Sequence, residues 1–282
     1  MNSKFSFSRV WQLLRTDVIG NPRYYSRHAL SVLLAQVLII ILPNLGVLLS
    51  AGVGDMSAPA LWKCGTAELL AFGFFFYIFL MVSAVCRPMR SKMQRTTMLA
   101  IPALMSEKFT ARVLLCTVGA VLLYVVLIPV SDILANCIFC VFSRSHQWVG
   151  MLTPYFYKTL LLGSDGKADL LVMGQEMTCL CVVSFFFFNY AFYLLASALF
   201  RKAPAVMALL IQIVGGIVLA IVLTYADTLI DFYDDFVVTH SNVQYYQLMI
   251  FVVLLGLTAL EVWWAYRLFK GITVIKTRKI GL

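Results

Sequence analysis

Lysine, arginine, aspartate and glutamate are missing from six long stretches of this sequence: 29–54, 69–86, 113–131, 177–200, 203–226 and 236–260. Only 12% of the residues are charged and 62% are hydrophobic, whereas soluble domains carry about 25% charged residues. That imbalance excludes an ordinary soluble domain. A membrane-crossing helix needs roughly 17–25 mostly apolar residues, so each stretch is long enough to span.

Other absences narrow the chemistry. No G-x-x-x-x-G-K-[ST] nucleotide loop occurs; Gly163–Ala168 comes nearest and has the wrong spacing. There is no H-E-x-x-H, and the three histidines, His28, His146 and His240, are scattered. No G-x-S-x-G elbow supports a serine nucleophile. Cys137 and Cys140 have C-x-x-C spacing but no second pair and no nearby histidine, which argues against zinc. A disulfide linking them to Cys179 or Cys181 stays open, alongside the plainer reading as small apolar residues. The interiors of the six stretches contain no Asp, Glu, Lys, Arg or His, and ion-coupled transporters usually place such groups at membrane depth. Their polar residues Gln36, Asn44, Asn189, Gln212 and Thr224 either orient a ligand or bond to neighbouring helices. If cargo moves, its driving energy is expected to come from outside these spans.

What charge there is alternates. Residues 1–28, 87–112, 201–202 and 261–282 hold 18 of the 22 bases and 3 of the 13 acids. Basic flanks stay cytoplasmic, so the count predicts cytoplasmic N- and C-termini. The bases flank spans and meet lipid headgroups, which accounts for the +9 net charge without nucleic acid.

The expected fold is an all-α membrane protein with six transmembrane helices near 29–51, 69–86, 113–131, 177–200, 203–226 and 240–262. The chain forms a single transmembrane domain, 1–282. Residues 1–28 are expected to include an interfacial helix over 8–19, with Val10, Leu13, Leu14 and Ile19 on one face and Trp11 at its border. Gly20-Asn21-Pro22 would end it. The outer loop 132–176 contains a ten-residue apolar run, Ile133–Phe142, too short to span and expected as an interfacial or re-entrant helix. Pro43 and Pro129 mark expected kinks.

The cytoplasmic loop 87–112 is the most structured polar stretch. A basic approach leads into the apolar run Thr96-Thr97-Met98-Leu99-Ala100-Ile101-Pro102-Ala103-Leu104-Met105, and then Ser106-Glu107-Lys108-Phe109 opens the next helix. Glu107 in a first turn complements the helix dipole. Apolar residues on an aqueous loop need a burial partner, lipid or protein.

This stretch resembles the loop between the second and third spans in permease subunits of type-2 ATP-binding-cassette exporters, closest to a branch common in Bacteroides-like bacteria. There a leucine-rich strip runs into Pro-Ala-Ser-x-x-Glu-Lys-Phe; here Pro102, Ala103, Glu107, Lys108 and Phe109 match in register, and Leu104 replaces the small hydroxyl residue. Tyr266-Arg267-Leu268-Phe269-Lys270 is similar to the family's basic tail. The resemblance implies a non-catalytic subunit in the bacterial cytoplasmic (inner) membrane, working in transport as an exporter permease. Its loop would be a coupling helix seated on a separate ABC ATPase subunit, with a second permease subunit completing the pathway. Thr96, Met98, Leu99, Ile101, Pro102, Leu104 and Met105 would form the apolar contact, with Glu107 and Lys108 at its rim. The chain itself would bind no cofactor or metal; ATP and magnesium would sit on the partner. Two rival readings are a stand-alone membrane enzyme and a non-transporting scaffold or immunity protein on the same fold.

Overall fold

Every regular element among the described residues is a helix, as a bilayer demands when backbone groups must be satisfied within one segment. The computed structural model describes residues 5–44, 59–87, 100–142, 152–162, 175–200, 202–230 and 240–273. The helices are α1 (Phe7–Gly20), α2 (Pro22–Ile41), α3 (Pro59–Val82), α4 (Met105–Leu114), α5 (Ala120–Phe142), α6 (Thr153–Leu162), α7 (Gln175–Leu199), α8 (Pro204–Ile230) and α9 (His240–Thr273). Among the described residues, five segments are long and apolar enough to cross a membrane: Pro22–Ile41, Gly65–Val82, Met105–Val141, Val182–Leu199 and Leu248–Gly271. The protein is an all-α, multi-pass membrane protein. The 27-residue α8 is apolar over Pro204–Val218.

Several boundaries differ from expectation. The first apolar helix begins at Pro22, seven residues before the uncharged stretch, because Arg23 and Arg27 do not interrupt a helix that Pro22 starts well. It ends in a 3₁₀ turn, Leu42–Asn44, where Pro43 cannot donate a helical hydrogen bond. Residues 45–51 lie outside the described residues. Ile133–Phe142 is not a separate interfacial or re-entrant helix. It is the last part of α5, which runs through Pro129 without a break. α9 likewise continues eleven residues past the expected limit at 262, since nothing up to Thr273 breaks a helix.

The contacts divide the chain into two units, 6–78 with 114–168 and 1–5 with 79–113 and 169–282. In the first, α2 packs on α5 and α6 lies against α5. Gln36 on α2 is fully buried, and its Nε2 donates to the Tyr124 carbonyl at 3.0 Å. The Tyr124 hydroxyl donates to the Leu70 carbonyl on α3 at 3.0 Å. Its ring meets Phe74 edge-on at 5.4 Å and tilts against Tyr77 at 5.5 Å. Gly73 packs closely beside it. A Cβ there would lie 3.1 Å from the Tyr124 hydroxyl and 3.2 Å from Ile39 Cδ1.

Asp132 ties α6 to α5. Its Oδ2 accepts from Leu152 N at 2.7 Å, Thr153 N at 2.9 Å and Thr153 Oγ1 at 2.7 Å, so it caps α6 from another helix. Asn136, one turn on, donates to Asp132 Oδ1 at 3.1 Å. This acid was expected in the outer loop, yet it is buried within a span-length helix.

In the second unit α7 packs mainly on α9 and also on α8. Phe79 stacks on Tyr193 at 5.2 Å and 8°, and tilts against Phe186. Gln212 Nε2 on α8 donates to Asn189 Oδ1 on α7 at 2.7 Å, so these two polar residues serve helix association. The short connection before α8 puts Ala203 at φ 44°, a left-handed conformation that costs a residue with a Cβ roughly 1–2 kcal/mol. Its carbonyl accepts from Met207 N at 3.0 Å, which opens α8.

Candidate functional site

The segment before α4 is built around a proline. Ala103 N donates to the Ile101 carbonyl at 2.9 Å, closing a three-residue γ-type turn on Pro102, whose fixed φ suits that central position. The expected coupling helix is therefore not helical over Ile101–Leu104; helix starts at Met105. Thr96, Met98 and Leu99 lie outside the described residues.

Leu104 caps α4 from its backbone. Lys108 N donates to the Leu104 carbonyl at 3.0 Å, and Leu104 N donates to Glu107 Oε2 at 3.0 Å. The second bond is one half of a capping box, the acid at the third helical position reaching back to the cap N–H. A serine at 104 would supply the reciprocal bond; leucine supplies apolar surface instead.

Exposure sorts the expected site residues into two groups. Ile101 (38% exposed) and Pro102 face outward, and Leu104 and Met105 are half-buried. Glu107 (0%) and Lys108 (3%) are buried, which corrects their expected place at the rim of a docking surface. The next residue shows how the turn is anchored. Phe109 meets Tyr266 at 5.5 Å and Phe269 at 5.1 Å, both on the last turns of α9. Phe269 is itself fully buried. The two stretches that carry the family resemblance, 102–109 and 266–270, thus meet in one cluster.

A second feature lies at Glu261, near the end of the expected span 240–262. The helix continues well beyond it, so Glu261 falls inside the span-length segment Leu248–Gly271. Its Oε2 is buried and has no hydrogen-bond partner among the described residues. Ala265 and Phe269, four and eight residues on, are fully buried on the same face, and that spacing was the available signal. Asp132 and Glu261 therefore contrast: the first is fully engaged as a cap, and the second has an orphaned oxygen.

Among the described residues no group of three His, Cys, Asp or Glu side chains could hold a metal. Cys137 and Cys140 carry thiols, and the side chains of Cys179 and Cys181 lie outside the described residues. No family model, curated protein or solved structure matches this chain.

Proposed function

We propose that this chain is the non-catalytic membrane subunit of an ABC-type exporter, with α8 as a sixth span and both termini cytoplasmic. The observation that carries the reading is the Ile101–Phe109 unit. An exposed apolar turn is stiffened by Pro102, closed onto α4 by Glu107 and bolted to the end of α9 by Phe109. A push on Ile101 and Pro102 is then delivered to the base of a span-length helix and to a second helix packed on it. That is the mechanical requirement for a coupling element driven by a separate ATPase. The docking mode is an apolar projection entering a groove, and Glu107 and Lys108 shape it from inside.

Cargo would pass between this subunit and a second permease subunit, homologous or identical. ATP and magnesium stay on the partner. The alternating charge pattern supports the orientation, with residues 87–112 and 201–202 on the ATPase side.

Ile101→Asp tests the reading. A carboxylate forced into a buried apolar contact costs several kcal/mol, so the variant should insert normally yet lose co-purification of a nucleotide-binding subunit. Leu99→Asp should behave alike. Retention of an ATPase with intact cargo-stimulated hydrolysis in both variants overturns the assignment, as does uphill transport by the isolated chain driven by a proton gradient.

A further inference from the structure

The N-terminal helix has two apolar faces, one buried and one exposed. Val10 (2% exposed) points into the protein, with Leu13 and Leu14 half-buried near it. This is most of the face that the sequence assigned to the membrane. The outward stripe is instead Phe7 (76% exposed), Trp11 (70%) and Val18, spaced four and seven residues apart. Those spacings bring all three onto one side of the helix, with Arg15 along its edge.

Charge points to what covers the stripe. Residues 1–28 carry five bases and one acid, Asp17. The Tyr25 hydroxyl donates to Asp17 Oδ2 at 2.8 Å and Asn21 Nδ2 to the Asp17 carbonyl at 3.2 Å, so the acid is engaged at the joint between α1 and α2. Arg15, Arg23 and Arg27 are exposed around that same joint. Gln12, Arg15, Thr16, Ile19 and Gly20 line an open recess of about 520 Å³. α2 is a span-length helix separated from α1 by Asn21 alone, so α1 is held at a membrane surface by its covalent connection.

We propose that α1 and the first turns of α2 form a docking surface for anionic phospholipid. Phe7, Trp11 and Val18 enter the border between headgroups and acyl chains, and Arg15, Arg23 and Arg27 pair with lipid phosphates. Aromatic and aliphatic side chains over a cationic rim is the composition such interfacial helices use. Attraction to an anionic leaflet is worth about fivefold in the docked-to-undocked ratio per arginine. This surface depends on membrane insertion and not on an ATPase partner.

The test places a fluorophore at Phe7→Cys in an otherwise cysteine-free full-length protein. The protein is reconstituted in phosphatidylcholine vesicles or in equal mixtures with phosphatidylglycerol. In the mixture, spin-labelled lipid should quench the probe strongly and aqueous acrylamide weakly. High salt should weaken the lipid quenching, because screening acts on exposed charges. Replacing Arg15, Arg23 and Arg27 with glutamine should bring the mixture's result to that of phosphatidylcholine. The salt titration needs no arginine variant and stands even if the triple variant folds poorly. Equal lipid quenching in both vesicle types overturns the anionic assignment. Acrylamide access in both overturns membrane docking, and shielding from both quenchers assigns the stripe to a protein instead.

Discussion

The Tyr157 hydroxyl on α6 donates to the Val125 carbonyl on α5 at 3.2 Å, and Val125 lies four residues before Pro129. That carbonyl is the one a proline leaves without its helical donor, so a neighbouring helix supplies the hydrogen bond that the ring removed. Removing the donor exposes the defect. Tyr157→Phe should destabilise the protein by about 0.6–1.7 kcal/mol, the span of measured hydrogen bonds within membranes. In a Pro129→Ala background the helix provides its own donor, and the same change should cost much less. A double-mutant cycle of unfolding in mild detergent measures the difference; equal costs in both backgrounds would refute the compensation.

The Asp132 cap concentrates three hydrogen bonds on one buried oxygen. Asp132→Ala leaves the α6 donors without their acceptor and should cost about 3 kcal/mol or more, because orphaned buried groups keep their full desolvation penalty. Asp132→Asn keeps an acceptor and should cost less. Cleavage of the connection around α6 by an added protease should rise in the order wild type, Asn, Ala.

The half-built capping box at α4 predicts changes of opposite sign. Leu104→Ser supplies the missing side-chain acceptor and should strengthen the helix start by about 0.5–1 kcal/mol. Glu107→Ala removes the existing bond and should weaken it by a similar amount. If Leu104 also docks on an ATPase, the stabler Leu104→Ser protein should stimulate hydrolysis less. Stability and coupling would then part company at one residue, which thermal melts and hydrolysis assays on the same samples resolve.

Glu261 should show the same divergence more strongly. Glu261 is half-buried with one orphaned carboxylate oxygen, so an apolar replacement of similar size should not be destabilising, and Glu261→Leu should keep or raise the unfolding midpoint. On the proposed transport reading, an ionisable group inside a span-length helix is retained for function, and the same variant should then lose cargo-stimulated turnover. Unchanged turnover in Glu261→Leu would leave this residue without a role.

Much of the architecture was legible in the residues. Five of the six runs without charge coincide with helices long and apolar enough to span, because burying a charge in lipid costs kilocalories. Helix ends were less legible. A change of charge was used as a boundary, but Arg23 and Arg27 sit inside a helix, since arginine is a good helix former and nothing nearby breaks the chain. Pro129 was legible as a helix defect, but only α6 could reveal Tyr157, the donor that satisfies the Val125 carbonyl the proline ring leaves open.

By itself, the sequence determined the membrane class and the helical content, and it marked out the segments 102–109 and 266–270, because these follow from local composition and from contiguous residues. Tertiary structure alone decided that those two segments touch, through Phe109 with Tyr266 and Phe269. It also decided that Glu107 and Lys108 turn inward, that Asp132 caps a helix twenty residues away, and that α1 turns Phe7 and Trp11 outward. The physical reason is common to all four. A helix presents every side chain around its axis, and which of them meet protein or lipid is set by where the other helices pack.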